Sequence, residues 1–173
     1  ERIHRSPVAA EIPNYSQVGD SCGAASLVAA ILAWDRQQSP VTNSAFITAS
    51  NITLSYLSMH HDAVVGRLTA QKISDPELQY NNLVLTLTNG RDNARTAGST
   101  VSETEYQILS IALYRLHKSD NRGGLSTGEI SNIRTRLGID GVSSSYPSLD
   151  KILSSPEAAA LKPGETAQVH WLS

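Results

Sequence analysis

From Ala24 to Trp34 the sequence runs AASLVAAILAW, an apolar stretch broken only by Ser26. At a helical period, Leu27, Val28, Ile31 and Leu32 share one face, and alanines cover much of the remainder. A helix that is apolar nearly all round has to be buried, so a helix over Ala24–Arg36 is expected at the centre of the fold. The run is far shorter than the roughly 20 residues that cross a bilayer, and no membrane span is expected. The 173 residues suffice for one domain with a real core and are too few for two.

A formal net charge of −2 gives no electrostatic reason to expect nucleic acid or an anionic membrane as partner. The single cysteine rules out an intrachain disulfide framework, so folding rests on the core. The opening ERIHRSPVAAEIP has mixed charge and no apolar stretch, so no signal peptide is read there. The chain starts at Glu1 rather than Met, as a module cut from a larger polypeptide would, so a larger parent polypeptide or a cognate partner is expected.

Pro7 and Pro13 make residues 1–16 an extended lead-in. Asn43–Asn51 is ambiguous, and Leu54–Lys72 reads as one helix. Asp75-Pro76-Glu77 is a helix start, but the LVLTLT that follows fits helix or strand, and RDNARTAGST reads as a loop. Ser102 with Glu105 three residues on is a capping box opening a strong helix. DNRGG breaks it, and LSTGEISNIRTRLGI is a shorter helix starting near Ser126 or Thr127. YPSLDKILSS and PEAAAL give short helical turns. The end, KPGETAQVHWLS, is a turn and a strand, with Ala167, Val169 and Trp171 alternating against Gln168 and His170.

Cys22 stands where a polar loop becomes the apolar helix. A nucleophilic thiol must be a thiolate, which is disfavoured near neutral pH for a free cysteine with pKa about 8.5 and favoured at a helix N-terminus. Gly23 leaves room for a substrate backbone. Gln17, five residues earlier, is placed to pair its amide with the Cys22 backbone N–H around a developing oxyanion. Asp20 is discordant, since a carboxylate nearby raises a thiol pKa. The competing explanation is a packing residue at the head of an apolar helix.

The stretch IPNYSQVGDSCGAASLVAAIL resembles the start of papain-like cysteine peptidases, in particular the bacteriocin-leader-processing family and its relatives. Pro13, Tyr15, Gln17, Cys22, Gly23, Ala24, Ala25, Ser26 and Leu27 carry the likeness, with a weaker match in LSTGEISNIRTRLGI, a Ser/Thr-capped helix ending in Leu-Gly. The family spaces Gln and Cys by one residue more, and its catalytic His is followed by an Asn or Asp. Here the chain ends three residues after His170.

The resemblance implies a helix-rich α+β papain-like fold, with the central buried helix after Cys22 packed on a small antiparallel sheet. It would be a single domain over 1–173 with a helical insertion at about 38–120. It further implies a cysteine hydrolase acting on peptide or side-chain carboxamides through a thioester, with Cys22 as nucleophile, His170 as base and Gln17 in the oxyanion site. A secreted bacterial effector or toxin module with a protein or peptide substrate fits that implication, with no cofactor and no metal. The alternative is an inactive papain-like domain that binds a protein partner.

His170 fits the base by its order in the chain and its place on the only expected strand. His60 and His61 diverge by about 100° on a helix and, with Asp62, read as a solvated face rather than metal ligands. His117, in the last turn of its helix, reads as a capping cation, and His4 lies in a terminal arm. No orienting third residue is assigned; Asp140 and Asp150 are the nearest aspartates in sequence. TGEISNIRTRLG has the look of a DNA-recognition helix, but Arg134 and Arg136 make only a small basic cluster. No Gly-rich phosphate loop follows a strand.

Overall fold

The fold is organised by α5 (Glu103–His117), a helix buried on more than one side. Tyr106, Leu109, Ala112, Leu113 and Leu116 lie in the core together with Glu105, Ser110 and His117, so its buried residues cover far more than a single stripe. Around it pack α1 (Cys22–Gln38), α2 (Ser44–Met59), α3 (His61–Ala70), α4 (Pro76–Ala97) and α6 (Thr127–Arg136). The computed structural model describes residues 19–38, 44–97, 101–119, 123–139 and 146–162. Two short helices, α7 (Leu149–Leu153) and α8 (Pro156–Ala159), follow and contribute no side chain to the core.

The expected α+β architecture is overturned. Among the described residues every regular element is a helix, and α1 buries Ala24, Ala25, Leu27, Val28, Ile31 and Leu32 against α5, α2 and α6 instead of a sheet. The Tyr106 hydroxyl fixes the α1–α5 contact by donating to the Ala25 carbonyl at 2.7 Å. The expected strand at 167–171 lies outside the described residues.

The segment LVLTLT settles as helix within α4. Leu83, Leu87, Gly90 and Ala94 are buried at helical spacing, which seats α4 against α5 and leaves Leu85 outside. Because Ala94 completes that stripe, the helix continues through RDNART, read from the sequence as loop. Of the ambiguous stretch Asn43–Asn51, residues 44–51 belong to α2, and the single helix expected over Leu54–Lys72 is instead two, parted at His60. The capping box expected at Ser102 and Glu105 forms, and Ser126 with Glu129 makes a second one that the sequence reading gives only as a helix start.

Two buried hydroxyls are satisfied inside their own helices, Thr53 donating to the Ala49 carbonyl at 2.7 Å and Ser110 to that of Tyr106 at 2.8 Å, whereas the buried Ser50 hydroxyl has no hydrogen-bond partner among the described residues. The α3 end closes as a Schellman turn: Lys72 N–H donates to Thr69 and Ile73 N–H to Leu68. That turn demands a left-handed residue at position 72, and a lysine occupies it at φ 58°. A Cβ there costs roughly 1–2 kcal/mol relative to glycine. Lys72→Gly should therefore stabilise the protein by about 0.5–1 kcal/mol after the loss of unfolded-chain restraint, read as a raised urea midpoint at unchanged slope.

Candidate functional site

Gly19 turns the chain at φ 58°, and the buried Ser21 accepts the Ala25 N–H at 2.8 Å, so Cys22 is the first residue inside α1. The thiol is exposed. Ser26 donates its hydroxyl to the Cys22 carbonyl at 2.8 Å, tying down the first turn. This places the sulfur at the positive end of the helix dipole.

The loop that leads into α6 runs beside it. A Cβ built on Gly124 would stand 4.0 Å from Cys22 Sγ and 3.6 Å from the Asp20 carbonyl. On the adjacent position, a Cβ on Gly23 would meet Ile130 Cδ1 at 3.0 Å and Cγ1 at 3.2 Å. Glycines at 23 and 124 thus allow the head of α1 and the start of α6 to touch.

Polar groups from α5 hold this loop in place. Lys118 Nζ donates to the Gly124 carbonyl at 2.7 Å and Tyr114 donates to that of Gly123 at 2.7 Å. Glu129 accepts from the backbone N–H groups of Ser126 at 2.8 Å and Ser119 at 3.0 Å, with Lys118 Nζ at 3.6 Å. Partial burial pushes the Glu129 carboxyl up, but the donors at Ser126 and Ser119 and the Lys118 charge outweigh it and hold the group below its usual range. Burial raises the Tyr114 hydroxyl, helped by the charge of Asp20.

The described histidines are engaged elsewhere. His60 stacks at a tilt on Tyr56, with centroids 4.5 Å apart. His61 spans Asp62 and Glu77 at 2.9 Å each, and these hydrogen bonds, Asp62 first, raise its pKa. His117 is not the capping cation expected. It is buried, its Nδ1 lies 2.9 Å from the Leu113 carbonyl and its Nε2 accepts from Arg136 Nε at 3.0 Å. Burial above all pushes it down to about 4, so the ring is neutral near pH 7.

His170, Gln17, His4 and Asp140 lie outside the described residues; Asp150 is exposed on α7. Arg136, one of the two arginines of the supposed recognition helix, is committed to His117 and to the ring of Tyr56. Among the described residues there is no cluster of three or more His, Cys, Asp or Glu able to hold a metal, and no helix long and apolar enough to cross a membrane.

A second feature is a shallow groove of about 360 Å³ between α2 and α4, lined by Leu54, Ser58, Tyr80, Val84, Leu85 and Thr88. Leu85 is 60% exposed at its rim, and Met59, at the end of α2, is 76% exposed. Sequence reading missed both this groove and the Lys118–Glu129 support of the Cys22 loop. The Gly-Gly pair at 123–124 was the available signal for the loop, visible in the sequence only as a helix breaker.

Comparison with family models, with curated proteins and with solved structures finds no match to this chain. The resemblance to papain-like cysteine peptidases, read from the stretch around Cys22 and from LSTGEISNIRTRLGI, finds no support in these comparisons.

The close packing at Gly23 yields a direct test. Alanine there gains up to about 1 kcal/mol of helix propensity but collides with Ile130. Gly23→Ala should be more favourable in an Ile130→Ala background than in the native one, with a coupling of at least about 0.5 kcal/mol in a double-mutant denaturation cycle.

Proposed function

We propose that Cys22 is the nucleophile of an acyl-transfer reaction on a carboxamide of a peptide or protein. The observation that carries this reading is an exposed thiol in the first turn of a buried helix, flanked by glycines on its own chain and on the facing loop. A rigid helix head is a good platform for a nucleophile, and the exposure of the thiol leaves the sulfur open to a substrate, although Ile130 fills the space beside Gly23 that the sequence suggested for one. The proposal does not rely on a papain-like sheet. It draws its base from His170 and its oxyanion donor from Gln17 through the resemblance in sequence alone. Cys22 sulfur attacks the carboxamide carbon; the thioester forms as the protonated amine leaves, and water releases the acid. Hydrolysis of a peptide bond and deamidation of a glutamine share these steps.

Iodoacetamide labelling followed by intact mass is the test. Cys22 should alkylate at pH 6 at a rate close to that at pH 8.5, and His170→Ala should restore the steep rise of an ordinary thiol. Cys22→Ala should leave the unfolding free energy within about 0.5 kcal/mol of the native value while removing all turnover. A native protein whose labelling follows a thiol of pKa about 8.5 sinks the reading.

The α2–α4 groove favours a second reading, a helical module that binds an amphipathic helix of a partner protein. Its leucine and tyrosine lining with an exposed Leu85 suits the helix-in-groove mode of recognition. Selection of displayed peptides on the folded domain should return amphipathic helical sequences, and Leu85→Asp should weaken their binding by at least about tenfold. Equal binding by Leu85→Asp rejects the groove.

A further inference from the structure

We propose that His117 and Arg136 form an acid-releasable latch that holds α6, and with it the loop beside Cys22, on the rest of the helical bundle. His117 Nδ1 faces the Leu113 carbonyl at 2.9 Å and so carries the ring proton, which leaves Nε2 as the acceptor for Arg136 Nε at 3.0 Å. The Arg136 guanidinium also lies over Tyr56, 3.5 Å from the ring centroid. One side chain at the end of α6 is thereby gripped by α5 and α2 together. An arginine has no acceptor to offer, so the bond exists only while His117 is neutral. Protonation replaces the acceptor with an N–H and sets two cations against each other in a buried site.

The surroundings of the ring oppose its charging. Arg136 on α6 and Arg67 on α3 both disfavour a charge on His117, while Glu129 on α6 favours one. That carboxylate is occupied by Ser126, Ser119 and Lys118. From α2 the facing group is the neutral Tyr56, and on α5 the neighbouring Lys118 turns its ammonium to Gly124. Burial adds the largest contribution, and the ring is pushed down to about 4.

A folded-state value below the free value of 6.5 means that an open, wetted ring takes up a proton that the closed ring refuses. Stability of the closed form therefore falls as pH drops from 6.5 to about 4, and levels off below. Opening at pH 4 should be favoured on the order of a hundredfold over pH 7. The element that yields is α6, whose only fully buried residue is Ile133, whereas α5 is buried along its length. Release of α6 would lift Ile130 off Gly23 and draw the 123–126 loop away from Cys22. The latch rests on no chemistry at Cys22 and stands or falls apart from the acyl-transfer reading.

Amide hydrogen exchange at pH 4 and pH 7, corrected for intrinsic rates, tests it on the whole chain. Protection across 127–137 should drop at pH 4 by on the order of tenfold or more, while 106–113 keep theirs. His117→Gln retains an acceptor oxygen without titrating and should abolish the drop. The latch is overturned if wild type shows no drop, if α5 and α6 lose protection together, or if His117→Gln behaves as wild type. Should that variant not fold, the wild-type His117 ring resonance decides: its titration midpoint must coincide with the loss of α6 protection, and separate midpoints reject the latch.

Discussion

A helix end buried in protein must have its last carbonyls satisfied, and the C-terminal end of α5 is such an end. Gln71, itself buried, donates to the carbonyls of Arg115 at 2.6 Å and Lys118 at 2.8 Å. His117 serves the carbonyl of Leu113, and the Lys118 N–H that of Tyr114. Removing the Gln71 amide would strand the Arg115 and Lys118 carbonyls at a cost of roughly 1–3 kcal/mol each. The donor Gln71 caps α3, and the chain from Lys118 onward leads into α6. The end of α5 therefore fixes where α3 stops and where α6 begins.

From that anchor the remaining contacts follow in order. Lys118 reaches forward to Gly124, Glu129 reaches back to Ser119, and the two span the break between α5 and α6. With the loop so placed, Gly23 and Ile130 meet and the head of α1 is located. The setting of Cys22 is thus built from four stretches of chain, and only the first of them was visible as a motif around the cysteine.

Local features were legible in the sequence wherever the physics is local. The capping box at Ser102 needs only a serine and a glutamate three residues on, and it forms, as does the helix start read near Ser126 or Thr127. The alanine-rich helix after Cys22 could hardly be anything other than buried. LVLTLT was ambiguous because Leu83, Leu85 and Leu87 also alternate as in a strand; the deciding residues, Gly90 and Ala94, lie beyond it in a segment polar enough to pass for loop. The break at His60 has no glycine or proline to announce it. His117 was misjudged as a cation because its partner Arg136 is 19 positions away and its burial depends on the whole bundle. The sheet expected from the resemblance was an inference from one short motif, and short motifs constrain a helix head far better than they constrain an architecture.

Lys118 illustrates what such a setting does to a residue's character. Its side chain is 8% exposed, with the ammonium on the Gly124 carbonyl and 3.6 Å from Glu129. In a chain whose other lysines include exposed ones such as Lys72 and Lys151, amine-directed acylating reagents will sort the lysines by geometry, marking those and sparing Lys118. Any chemistry that did reach it would erase the positive charge facing Glu129, so the modified protein would carry a half-buried carboxylate with its nearest counter-charge gone. The lysine most resistant to covalent marking is also the one whose marking the fold tolerates least.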